Sequence, residues 1–123
     1  MSWRTFLRAH EPAIAATDFF TTEVWSTRGL VTVHVLFVIE HLTRRVHIAG
    51  VTHSPDERFM AQVARNLTDP FDGFLLGKRY LIIDRDSKFT AGFKDRLQAE
   101  GIRPMMIARQ APDMNAIAER WVL

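Results

Sequence analysis

Three acidic residues in this chain stand where packing gives a poor account of them. Asp18 interrupts a strand-forming run between Ala15-Ala16-Thr17 and Phe19-Phe20, and an aspartate weakens a strand unless it has an edge position or a chemical role. Asp84 directly follows Tyr80-Leu81-Ile82-Ile83, at the carboxyl end of an expected interior strand, where open α/β sheets build their sites. Glu119 is two residues from both Ile117 and Trp121; on a helix it lies about 200° round from each and faces away from their apolar stripe. Carboxylates converging from two strands and a helix could hold two divalent cations roughly 3.5 to 4 Å apart, the arrangement that activates an attacking hydroxyl and stabilises the leaving oxygen in phosphoryl transfer. Mg²⁺ takes hard oxygen ligands and keeps several waters, so a few carboxylates on rigid elements suffice. The metal also relieves the repulsion between the acids. With 14 acidic residues in the chain, any one is ordinarily a solvated surface charge, and residue types alone leave the triad a candidate.

The elements that must position these acids can be read in order. Residues 13–25 are rich in β-branched and aromatic types and 30–39 form a Val-rich apolar run, so both read as strands joined by a turn at Ser26 to Gly29. A turn at His41 to Thr43 leads to a third strand, 44–51. Ser54-Pro55-Asp56-Glu57 is a helix-start signature with Ser54 as the expected cap. Phe59, Met60, Val63, Ala64 and Leu67 then share one helical face up to Asp69-Pro70. A short strand at 79–83 follows, then a helix with a Phe89, Phe93, Leu97 stripe closed by Gly101, a strand at 102–107, and a last helix from about 113. The order β-β-β-α-β-α-β-α predicts an α/β domain with a mixed five-stranded sheet and flanking helices.

Composition narrows the setting without naming a partner. At 123 residues and 47% apolar content the chain suits one domain. A net charge of +2 is compatible with a polyanion but does not point to one. Cysteine is absent, which excludes disulfides and thiolate zinc sites. No secretory signal and no membrane-spanning apolar stretch is present, so the chain reads as soluble and cytoplasmic, and Asn66-Leu67-Thr68 as a chance glycosylation match. The five histidines lack metal-site spacing and read as structural; Trp25, Trp121 and the nine phenylalanines read as core.

At Asp84-Arg85-Asp86-Ser87-Lys88-Phe89 and from Ala111-Pro112-Asp113 through Glu119-Arg120-Trp121-Val122, the chain closely resembles the integrase-core transposases of bacterial insertion sequences, relatives of retroviral integrases. The likeness extends to 16–23, to 41–47 and to 50–55, in the family's order. It implies an RNase H-like fold and a DDE-type site of Asp18, Asp84 and Glu119, with 34 residues between the last two. It further implies Mg²⁺ or Mn²⁺, two ions, as cofactor, DNA cleavage and strand transfer as the activity, transposon ends and target DNA as partners, and a homo-oligomer. Asp86, in the turn beyond the strand, reads as a turn stabiliser rather than the second ligand. Arg85, Lys88, Arg109 and Arg120 are candidates for phosphate contacts, with ordinary surface charge as the equal alternative. Asn115, one helical turn before Glu119, either orients a ligand, contacts DNA or caps the helix.

Two departures from the family pattern touch DNA contact rather than ligation: Asp113 stands where relatives often have a basic or amide residue, and Ile83 where a polar one is common. Against the family's length, residues 1–12 read as a linker from an N-terminal DNA-binding region and 13–123 as a catalytic core lacking its last helices. The alternative reading is an inactive remnant that keeps only DNA- or self-binding.

Overall fold

The structure, a computed structural model, describes residues 2–84 and 88–107. Its elements are a helix α1 (Trp3–His10), a short 3₁₀ turn (Glu11–Ala13), strands β1 (Ile14–Ser26), β2 (Gly29–Glu40) and β3 (Val46–Thr52), helix α2 (Glu57–Leu67), strand β4 (Tyr80–Asp84), helix α3 (Ala91–Ala99) and strand β5 (Arg103–Ile107). The strands form one sheet in the order β3-β2-β1-β4-β5. The first three are an antiparallel meander, and β4 and β5 run parallel to β1. The mixed five-stranded sheet expected from the sequence is therefore present. The third expected helix, from about residue 113, lies outside the described residues.

Strand alternation divides the core in two. Ala15 and Leu36, Val38, Leu81 and Ile83 pack on one face beneath α2 and α3, with Met60, Val63, Leu67, Phe93 and Leu97. Ile14, Ala16 and Ile82 point to the other face and meet Leu7 of α1. Residues 1–12, read from the sequence as a linker, thus contain a helix that is seated on the sheet. Ser2 caps it, accepting from the Thr5 N–H at 3.1 Å. The helix escapes a pattern search because only Leu7 is fully buried on its eight residues.

Local signals set the element ends. The cap of α2 is Asp56, not Ser54: its carboxylate accepts from Phe59 N–H at 2.9 Å. The residues before it are in a turn of their own, with Thr52 Oγ1 accepting from Ser54 N–H. Helix α3 begins at the cap Thr90, so Phe89 precedes the helix although its ring joins the expected stripe in the core. It ends in a left-handed Gly101 at φ +78°, with Ile102 N–H bonded to the Leu97 carbonyl and Gly101 N–H to that of Gln98. This is the paired closure that glycine permits at a helix terminus. Gly50 on β3 lets α2 close on the sheet, since a Cβ there would stand 2.6 Å from the Phe59 ring.

The end of the sheet where β4 begins is tied by a cluster of polar contacts. Lys78 Nζ donates to Glu40 Oε1 at 2.6 Å and to the Pro12 carbonyl at 3.0 Å. His41, buried, has its Nε2 3.5 Å from Glu11. The opposite end is left for the carboxyl termini of β4 and β5.

Candidate carboxylate site on β1 and β4

The parallel ladder between β1 and β4 pairs Ile14 with Tyr80 and runs to Thr17 with Ile83. One further step in the same register places Asp18 beside Asp84 on neighbouring strands. By alternation both side chains belong to the face of Ala16 and Ile82. Asp84 is in register with Ile107 of β5, and Asp18 with Phe37 of β2. Both acids are half-buried. Asp18 Oδ1 accepts from the Phe19 N–H at 2.8 Å, a local bond that restricts its side chain. Beneath it the Thr17 hydroxyl donates to the Phe37 carbonyl at 2.8 Å inside the core.

Two of the three acids singled out in the sequence are thus brought together from remote parts of the chain. Glu119 lies outside the described residues, as do Arg85, Arg109, Asn115 and Arg120. Among the described residues no group of three His, Cys, Asp or Glu side chains forms a metal cage. The donor set on the page is two carboxylate groups on adjacent rigid strands, an all-oxygen set of the kind Mg²⁺ and Mn²⁺ accept.

Lys88 Nζ lies 5.5 Å from the centre of the Phe19 ring, within cation–π range. Phe19 also meets Phe89 at 5.4 Å and, edge-on, His34 at 6.4 Å. These contacts tie Lys88 and Phe89 to Phe19 of β1.

The aromatic residues include two corrections. Trp25, expected in the core, is 82% exposed, and Phe71 is 91% exposed. Trp25 is paired with Leu30 near the tip of the β1–β2 hairpin, which continues beyond the last β4 partner of β1. Its neighbours in sequence, residues 21–28, are all exposed. Of the histidines, His10 packs on Tyr80, His34 on Phe19 and His47 on Phe74, while His53 approaches the Thr32 carbonyl.

Sequence reading passed over one concavity at this end of the molecule. Thr52, Ser54, Arg58, Gln62 and Arg65 line a cleft of about 580 Å³ beside α2. Arg58, Gln62 and Arg65 have the i, i+4, i+7 spacing of one helical face, and that spacing was the available signal.

Compared with models of known protein families and with curated protein sequences, the chain has no match. Among solved structures it is similar to a chain of the simian T-cell lymphotropic virus intasome in complex with PP2A regulatory subunit B56 gamma, with a TM-score of 0.62 and 14% identity. It is also similar to the catalytic core domain of BIV integrase, with a TM-score of 0.60 and 17% identity. The alignments cover 90% and 89% of this chain but 37% and 63% of those chains. The fold is that of an integrase catalytic core, the RNase H-like arrangement of a mixed five-stranded sheet with flanking helices. No helix among the described residues is long and apolar enough to cross a membrane.

Proposed function

We propose that this chain is the catalytic core of a DNA transposase of the bacterial insertion-sequence type, cutting DNA strands and joining them by phosphoryl transfer. The observation that supports this most directly is the β1–β4 register, whose next step beyond Thr17 and Ile83 brings Asp18, within β1, beside Asp84 at the carboxyl end of β4. An integrase-core fold around that pair, and a sequence that places Glu119 at the family's distance from Asp84, agree with it.

In this reading Asp18, Asp84 and Glu119 hold two Mg²⁺ or Mn²⁺ ions. When bound, such ions activate the attacking water or 3′-hydroxyl and neutralise charge on the leaving oxygen. The chain's own part is to fix the carboxylates. Asp18 is restrained by the Phe19 N–H and by the β2 ladder, and it directly follows the last residue of the β4 ladder, so its oxygens need little reorganisation to meet a cation. Lys88, Arg85, Arg109, Asn115 and Arg120 are the proposed contacts to DNA near the site, supplying sequence-independent attraction to phosphates. Transposon ends and target DNA are the proposed substrates, and a homo-oligomer the working form.

The test begins with calorimetric titration of Mn²⁺ or Mg²⁺ into the chain. Binding that is lost in Asp84→Asn and in Asp18→Asn, with the circular dichroism spectrum unchanged, is the expected result. Failure of the wild-type chain to bind either ion would overturn the catalytic reading and favour an inactive remnant. Strand transfer by a longer protein containing this core, abolished by Glu119→Gln, then separates a transposase from a simple nuclease.

A further inference from the structure

Arg58 and Arg65 both line the cleft beside α2. Some basic side chains of the molecule are matched, Lys78 and Arg45 with Glu40 and Arg96 with Glu100 at 3.7 Å. Arg58 and Arg65 are exposed, and neither forms an ion pair among the described residues. The acid among the cleft's lining residues, Asp56, has one carboxylate oxygen engaged with the Phe59 N–H at the start of α2.

The placement of these groups suits a chain of phosphates. Seven residues of helix separate Arg58 from Arg65, a rise of about 10.5 Å at 1.5 Å per residue. Along one strand of duplex DNA that distance covers roughly three phosphates at 3.4 Å of axis each. Between the two arginines Gln62 adds an amide, its Nε2 donating to Asn66 Oδ1 at 2.9 Å. Ser54 contributes a hydroxyl at the mouth. Guanidinium groups bind phosphate oxygens in a two-pronged geometry that lysine cannot match. Arg65 also lines a second cleft, of about 300 Å³, with the acid Glu57 and with Thr90, Gly92 and Arg96. Arg65 is common to the linings of both clefts, one reaching Thr52 of β3 and the other Gly92 of α3.

Its position relative to the acids follows from the register. Thr52 pairs with His34 and His34 with Thr21, three residues beyond Asp18 on β1. The cleft thus opens at the same end of the sheet as Asp18 and Asp84 but on the α2 face, opposite the face of the acids.

We propose that this groove is a second DNA-contact surface, gripping the sugar-phosphate backbone of duplex flanking the reacting strand through Arg58 and Arg65. The inference rests on the DNA reading above but not on the metal site. Its test is fluorescence anisotropy of the whole chain with a labelled 20-base-pair duplex of arbitrary sequence across a series of NaCl concentrations. Each phosphate contact contributes about 0.9 to the slope of log K against log salt. Arg58→Gln/Arg65→Gln should lower that slope by about 1.8. The control Arg4→Gln/Arg8→Gln, which removes the same charge from exposed positions of α1, should leave it unchanged. Equal slopes in all three proteins, an equal drop in both variants, or no duplex binding by the wild type would overturn the groove. Asp84→Asn should retain the wild-type salt slope, so loss of metal binding alone would sink only the catalytic reading.

Discussion

Glu40 joins three parts of the chain through one carboxylate. It accepts from Lys78 at 2.6 Å and from the Thr43 hydroxyl at 2.9 Å, with Arg45 3.8 Å away. The Lys78 hydrogen bond holds its carboxyl below the ordinary glutamate range against the opposing effect of burial, and the Thr43 bond and the Lys78 and Arg45 charges add to it. The Lys78 side chain is only 8% exposed, so removing its partner leaves an ammonium ion with little water. Glu40→Gln should cost about 2 kcal/mol, seen as a melting temperature lower by roughly 6–10 °C. Because the folded-state value is depressed, this stabilisation is complete above the ordinary glutamate value of about 4.3 and disappears as pH falls through the lower folded value. Chemical denaturation should therefore show a constant gap between wild type and Glu40→Gln at neutral pH that closes in acid. A gap that persisted unchanged far below that range would refute the assignment. None of this was legible beforehand: Glu40 and Lys78 meet only because the ends of β2 and the loop before β4 converge. Asp18 and Asp84 stand out in the sequence because an acid inside or directly after a strand conflicts with local preference, and their strands are neighbours in the sheet.

At the level of elements, the loop between α2 and β4 shows how backbone fit can govern packing. Asp69 Oδ1 accepts from Phe71 N–H at 2.9 Å and from Asp72 N–H at 3.3 Å, turning the chain so that Gly73 N–H reaches the Asp69 carbonyl. A Cβ on Gly73 would stand 2.5 Å from the Leu67 carbonyl oxygen and 2.6 Å from Asp69 N, both backbone atoms. Gly73→Ala should therefore destabilise by about 1–3 kcal/mol, measured by urea unfolding. A neutral effect would show that the loop can open without disturbing Leu75 in the core. All five strands and both described helices of the main core were readable to within a few residues, since β-branched runs and the α2 stripe obey simple periods. Helix α1 was not, having one fully buried side chain. Trp25 is exposed because β1 and β2 stay paired into the hairpin tip, beyond the last β4 partner of β1. Strand periodicity records pairing and says little about what lies above it.

For the molecule as a whole, the proposed metal site and the fold are one thermodynamic unit. A cation held by Asp18 and Asp84 would bind the paired sheet and not the open chain. At a free concentration one hundred times its dissociation constant it should raise stability by about 2.7 kcal/mol. Thermal unfolding with and without Mn²⁺ should show that increase in the wild type and lose it in Asp84→Asn. An equal increase in both would place the ion elsewhere. The parallel β1–β4 ladder has another consequence. Hairpins such as β1–β2 can form from neighbouring segments within about 1–10 μs, whereas β4 must travel back across an intervening strand pair and helix before it can dock, and such distant contacts slow folding. The proposed carboxylate pair is therefore assembled by a long-range contact between β1 and β4 and not within any local hairpin.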